Sequence, residues 1–338
     1  MKSEVRVLDH TSKVLENNPL KDPHNRKVIV YLPPSYGSSG KRYPVVHLIA
    51  GFTGFGALSM NLSPYNENIQ QRLDRLIKTG KIMEMIVVLP DCFTKYGGSQ
   101  YVNSAATGRY EDYIIKEIVP FIDQNFRTIP KAASRCIIGK SSGGYGAMWL
   151  AMRHPDVFGL MATHSGDSAF EYCYMEHFAE FPILIEKYGK GHKAVQKFIK
   201  TQINTNQPKG SDFHNIINTI GMSACYSPNP KRKEYNFDLP FDIYTGEIIP
   251  EVWKKWLNFD PVRQVKKYKN NLKKLKLIYV DCGIKDEFKL QAGARIYCEK
   301  LKENGIKYTH LEFNGGHMNV QYRYDTSFPI ISKHFSYK

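Results

Sequence analysis

The stretch Cys136-Ile137-Ile138-Gly139-Lys140-Ser141-Ser142-Gly143-Gly144-Tyr145-Gly146-Ala147-Met148-Trp149-Leu150-Ala151 decides how this chain is read. An apolar run meets a glycine, a serine follows, two more glycines follow that, and helix-forming residues take over. The order predicts a short buried strand, a tight turn and a helix, with Ser141 on the corner. A serine there projects its Oγ clear of the backbone, the arrangement of a nucleophile elbow. The corner is crowded, so the residues beside it must be small. Gly139 and Gly143 meet that demand, and Gly144 allows the helix to pack close to its strand. The Ser142 N–H falls at the helix N-terminus, where it can help to hold an oxyanion.

Working outward, the same alternation recurs. Lys27–Leu32 reads as a strand stopped by Pro33-Pro34, Val45–Ile49 as a strand buried on both faces, and Met85–Leu89 as another. A glycine-rich loop, Gly51–Gly56, follows the second. Helices are predicted from Asn66 to Lys78 and from Glu111 to Phe126, where Ile114, Ile118, Phe121 and Ile122 share one face. Beyond the elbow come strands at Leu160–Thr163, Lys276–Asp281 and Thr309–Phe313, a helix at Leu290–Asn304 and a terminal helix at Ile330–Phe335. Strands alternating with helices predict an α/β fold with a mostly parallel central sheet and helices on both faces. Residues 165–270, rich in lysine and aromatic side chains, break the rhythm. They are read as a cap or insertion ahead of the strand at 276–281, within a single domain covering 1–338.

The 338 residues carry a net charge of +15, and 18 Lys/Arg face 8 Asp/Glu between Phe181 and Val280. The lysines are scattered and match no basic motif of a nucleic-acid module, so they are read as a solvated surface and no nucleic-acid partner is expected. No run of about 18 apolar residues exists to span a membrane. The first residues turn charged at once, with no secretion signal. Six cysteines are spread singly, without C-x-x-C pairs. That pattern fits a reducing, cytoplasmic setting, and neither a disulfide framework nor a zinc site.

A serine nucleophile needs a base, and the base needs an orienting acid. Where the elbow is genuine, the acid and the histidine follow the serine in the chain. His317 lies on a loop after the last strand, behind Gly315-Gly316. His310 within a strand, His154 at a helix end and His47 in a buried strand read as structural. Asp286 lies just past its strand and a glycine turn, with Glu287 and Asp281 as alternatives. The second oxyanion donor is expected from the backbone N–H of Phe52, where Gly51 lets the chain turn. Tyr101, Asn103, Asp167 and Trp253 are candidates for the substrate pocket.

Taken in order, these segments resemble the esterase D-like esterases, a branch of the α/β-hydrolases that includes S-formylglutathione hydrolases, feruloyl and siderophore esterases and mycolyltransferases. Tyr43–Gly54 looks like that family's oxyanion strand and loop, and Gly98–Ser104 like the segment leading to its active-site rim. Gly139–Gly144 looks like its elbow, Gly283–Glu287 its acid loop and Gly315–His317 its histidine loop. The resemblance implies Ser141 as nucleophile, Asp286 as acid and His317 as base. It also implies a carboxylic- or thio-ester substrate and no cofactor. Many members carry His-Gly where this chain has Ala50-Gly51. The residues after His164-Ser165-Gly166-Asp167 depart from the S-formylglutathione enzymes, so that substrate is not assigned. Two other readings accompany esterase: acyl transfer by the same triad, and a non-catalytic hydrolase-fold protein that binds an anionic partner.

Overall fold

A computed structural model describes residues 2–203, 205 and 209–337. Its strands are β1 (Glu4–Thr11), β2 (Asn25–Leu32), β3 (Val45–Ile49), β4 (Ile86–Pro90), β5 (Asn103–Ser104), β6 (Gly108–Arg109), β7 (Arg135–Lys140), β8 (Leu160–His164), β9 (Leu277–Gly283) and β10 (Thr309–Phe313). Among the described residues, eight of them form one sheet in the order β1-β2-β4-β3-β7-β8-β9-β10, while β5 and β6 pair as a small separate hairpin. β2 runs antiparallel to β1 and β4, and every pairing from β4 to β10 is parallel.

The period of two along each strand divides the core. Val46, Ile138, Ala162 and Tyr279 point to one face, against the helices Ile69–Lys78 and Tyr324–His334. Val45, Ile137, Met161 and Val280 point to the other, where Ser142–Arg153 and Leu290–Glu303 pack. Both faces are covered, and this is why the central strands read as unbroken apolar runs.

Three local differences from the sequence reading stand out. The helix expected from Glu111 to Phe126 winds through a wider π turn at Tyr113–Ile118 before Val119–Asn125, where Pro120 withholds a ladder N–H. The terminal helix begins at Tyr324, six residues before the expected start, because Tyr324 and Phe328 extend its apolar face. Between β8 and β9, the segment that broke the α/β rhythm is largely helical, with Glu176–Ile185, Gly191–Phe198, Phe213–Tyr226 and Pro250–Leu257. Its Phe170, Tyr226 and Trp256 join the same apolar cluster as Trp149 of the elbow helix, so these helices are packed onto the body. Among the described residues, no helix is long and apolar enough to cross a membrane.

β3, β7, β8, β9 and β10 are parallel, so their C-terminal ends share one rim of the sheet. The loops leaving that rim begin at Ala50, Ser141, Ser165, Ile284 and Asn314. In open α/β sheets ligands bind at this rim.

Candidate active site

Ser141 leaves β7 with φ 57° and ψ −128°, a conformation that costs a non-glycine residue on the order of 1–3 kcal/mol. Its neighbours fix the corner. A Cβ on Gly139 would lie 2.4 Å from the Gly143 carbonyl carbon, and one on Gly143 would lie 2.4 Å from the Ile49 oxygen. Gly144 serves a different contact from the one expected. A Cβ there would meet Thr163 and Gly166 at the end of β8, not its own strand. The Ser141 N–H donates to the His164 carbonyl (2.9 Å), tying the elbow to β8.

The acid and histidine loops also meet through glycines. A Cβ on Gly283 would lie 2.3 Å from the Gly315 oxygen, and one on Gly316 would lie 2.5 Å from the Glu287 carboxylate. This close approach brings Asp286 Oδ2 to 2.9 Å from His317 Nδ1. Both side chains are buried, and the Phe288 N–H donates to Asp286 Oδ1 (3.0 Å). Burial pushes the Asp286 carboxyl up, but the His317 hydrogen bond and charge outweigh it and hold it below the usual carboxylate range. The alternative acids are engaged elsewhere. Glu287 accepts the His317 backbone N–H (2.5 Å). Asp281 is fully buried, held by Arg323 Nε and Nη2 (2.9 and 3.0 Å) and by His164 Nδ1 (3.0 Å).

A cavity of about 290 Å³ is lined by Ser141, Ser142, His317, Phe52, Asp167 and, from the segment between β8 and β9, Tyr174. Ser141 Oγ makes no hydrogen bond among the described residues. Such contacts are often long without substrate and tighten when it binds. Neither the Phe52 nor the Ser142 backbone N–H has an acceptor among the described residues, so both donors are available. The loop carrying Phe52 is well anchored. Thr53 N–H donates to Gly97 O (2.6 Å) and Gly54 N–H to Gly51 O (2.9 Å). The Phe52 ring fills a slot between Gly97 and Gly221, where added Cβ atoms would lie 2.5 and 2.9 Å from it.

Of the four residues expected in the substrate pocket, the structure brings only Asp167 to the cavity. Asp167 is buried and accepts from Tyr174 OH (2.8 Å), Ser142 Oγ (3.1 Å) and Gln100 Nε2 (3.3 Å). Burial raises its pKa against those bonds. Tyr101 points away from the cavity and donates its hydroxyl to the Ala50 carbonyl (2.6 Å). Asn103 is exposed in the β5–β6 hairpin and accepts the Asp112 N–H (3.1 Å). Trp253 packs in an aromatic cluster, with ring centroids 5.4 Å from Phe178 and 5.8 Å from Trp256.

Residues 22–329 match the family described as "Putative esterase". The chain belongs to that family. Among curated relatives it is 29% identical over 157 residues to the uncharacterized protein YbbA of Bacillus subtilis, covering 44% of this chain and 59% of that protein. It is 29% identical over 176 residues to Esterase Rv1288 of Mycobacterium tuberculosis, covering 49% of this chain and 35% of that protein. The chain thus spans less than two thirds of the length of either relative. A solved ferulic acid esterase superposes with TM-score 0.65 at 20% identity, covering 99% of this chain and all of the other. The fold is that of the α/β-hydrolases.

Within this esterase-family chain, the sequence reading missed the polar group around Asp167. Gln100 also donates to Tyr226 OH (3.0 Å), and Tyr174 stands over the elbow side of the cavity. The segment Gly98–Ser104 signals the neighbourhood, but it is Gln100, not Tyr101, that reaches Asp167. Gln100 and Tyr101 both have left-handed φ (48° and 54°), which breaks the alternation that would say which side chain faces inward.

Proposed function

We propose that this chain is a serine esterase that hydrolyses carboxylic or thio esters through an acyl-enzyme. The observation that carries the reading is His317, bonded to the buried Asp286, lining the same cavity as the strained Ser141. His317 Nε2 takes the Ser141 proton as Oγ attacks the acyl carbon. Asp286 accepts from Nδ1–H, fixes the tautomer and stabilises the imidazolium. The Phe52 and Ser142 N–H groups receive the developing oxyanion. The imidazolium protonates the leaving alkoxide or thiolate, and water repeats the cycle on the acyl-enzyme. No metal or organic cofactor enters these steps.

The helices of residues 165–270 act as a cap in this reading, since Tyr174, His177 and His214 from them line the cavity beside Ser141. The six buried free thiols support a reducing, cytoplasmic compartment.

Turnover of p-nitrophenyl acetate, butyrate and octanoate by wild type and Ser141→Ala tests the assignment. The variant is expected to lose on the order of a million-fold in kcat, as serine triads do. A Ser141→Ala protein that keeps most of its activity would remove Ser141 as nucleophile.

A further inference from the structure

A second cavity, of about 420 Å³, lies beside the first and shares Gly51, Gly54 and Lys140 with it as a common wall. Lys140 is the residue immediately before the nucleophile, half-buried at the end of β7. Its ammonium has no hydrogen-bond or ion-pair partner among the described residues. Asp286, Glu287 and Asp167 attract it without direct contact, and each accepts its hydrogen bonds from other groups. Among the described residues, Arg72 is the other Lys or Arg side chain lining the second cavity, and it is already paired with Asp325 and Glu67. Glu67, the acid in that lining, is in turn held by Arg75 (2.6 Å). Lys140 is therefore the cation on the wall shared by the two cavities that has no ion pair within 4 Å among the described residues. A half-buried ammonium with no directly bonded counter-ion is costly, and an anion brought by a ligand supplies that contact. Ser59 and Asn61, which also line the second cavity, offer side-chain donors with no internal partner among the described residues.

We infer that Lys140 and the second cavity form an anion-accepting subsite, so that the preferred ester carries a carboxylate or phosphate close to the scissile bond. The inference rests on Ser141 as nucleophile and adds to it the class of substrate. Lys140 is its specificity-determining residue, because it touches both the space next to Oγ and the space beyond the oxyanion loop.

The test compares charged and neutral ester pairs in wild type, Lys140→Met and Lys140→Arg. Mono-p-nitrophenyl succinate against p-nitrophenyl butyrate places the charge on the acyl side. 4-Acetoxybenzoate against its methyl ester places a carboxylate on the leaving group, and 4-acetoxyphenyl phosphate places a phosphate there. In at least one pair, the charged-to-neutral ratio of kcat/KM is expected to fall on the order of 10- to 100-fold in Lys140→Met, with partial recovery in Lys140→Arg. Comparing the ratio between variants cancels the intrinsic reactivity of each ester. Ratios unchanged in every pair, with turnover still dependent on Ser141, overturn the subsite and leave the esterase standing. A Lys140→Met effect confined to the pH profile does the same. Equilibrium binding of the charged esters to Ser141→Ala, with and without Lys140→Met, judges the subsite without any turnover. A Kd raised at least about tenfold for one of them supports it, and equal Kd values refute it even if the esterase reading has failed.

Discussion

Tyr101→Phe separates a residue that holds the oxyanion loop from one that holds substrate. The Tyr101 ring is packed against Gly146, where an added Cβ would lie 2.2 Å from it, and phenylalanine keeps that contact. What the substitution removes is the hydroxyl bonded to Ala50 O at 2.6 Å. The Ala50 carbonyl is left without its buried donor, which costs about 1–3 kcal/mol. Ala50 stands two residues before Phe52, the proposed oxyanion donor. The Thr53–Gly97 and Gly51–Gly54 bonds remain to support the loop. If they carry part of the load and the competent loop is disfavoured by about 1–2 kcal/mol, kcat falls roughly 5- to 30-fold. The fall should be the same for p-nitrophenyl acetate, butyrate and octanoate, with KM changed little, because the oxyanion is common to all three. The melting temperature should drop by a few degrees. Steady-state kinetics on the three esters with a thermal melt reads all of this. A KM rise confined to one chain length would place Tyr101 against the acyl group after all. A kcat within twofold of wild type on every ester would show that the hydroxyl does not position the donor.

Two further outcomes follow from the packing and the buried charges. Gly143→Ala drives a Cβ to 2.4 Å from Ile49 O and 2.8 Å from Ala50 O, so it should destabilise the fold by about 1–3 kcal/mol or more and abolish esterase turnover. Gly40→Ala, with nothing within 4 Å of its Cβ, should match wild type in the same melt and rate assays. Asp281→Asn strands Arg323 in a half-buried site and should cost about 3–5 kcal/mol at neutral pH. Burial raises the Asp281 pKa, yet the His164 and Arg323 bonds bring it below the usual value in the folded protein. The stabilisation is therefore complete above the unfolded value, about pH 4, and is lost as pH falls through the folded one. The gap in melting temperature between wild type and Asp281→Asn should be flat from neutral pH down to about pH 5 and close below about pH 4. A gap that instead widens on acidification would mean the carboxyl is not ionised in the fold.

The strand–turn–helix at Ser141 was legible because its residue pattern is local. Gly139 answers to Gly143 within the turn, while Gly143 and Gly144 answer to Ile49, Thr163 and Gly166, but three glycines within six residues can be seen without knowing those partners. The apolar strands were legible for a similar reason, since burial on both faces leaves no polar positions to confuse the period. The acid was a harder choice. Asp281, Asp286 and Glu287 lie within seven residues, and what separates them is which remote group each meets: Arg323 and His164, the His317 ring, or the His317 backbone. Position along the chain favoured Asp286, but only the packing of Gly283 on Gly315 sets which carboxylate faces the ring.

The pocket residues were least legible, because their inward or outward sense depends on loop backbone that follows no period. Two consecutive left-handed residues turned Gln100 toward Asp167 and Tyr101 toward Ala50. The most telling case is His164, which the sequence reading placed just past a strand ending at Thr163 and gave no role. It binds Asp281 Oδ2 through Nδ1 and Ser327 Oγ through Nε2, both at 3.0 Å, and so repeats the serine–histidine–aspartate connectivity a short way from the cavity. Yet Ser327 and Asp281 are fully buried, Arg323 neutralises the carboxylate, and Ser327 sits inside the helix Tyr324–His334 with no strained corner to expose it. Connectivity alone therefore does not make a nucleophile. The difference lies in the glycine-built elbow that lifts Ser141 into a cavity, and that is the part of the site most plainly written in the sequence.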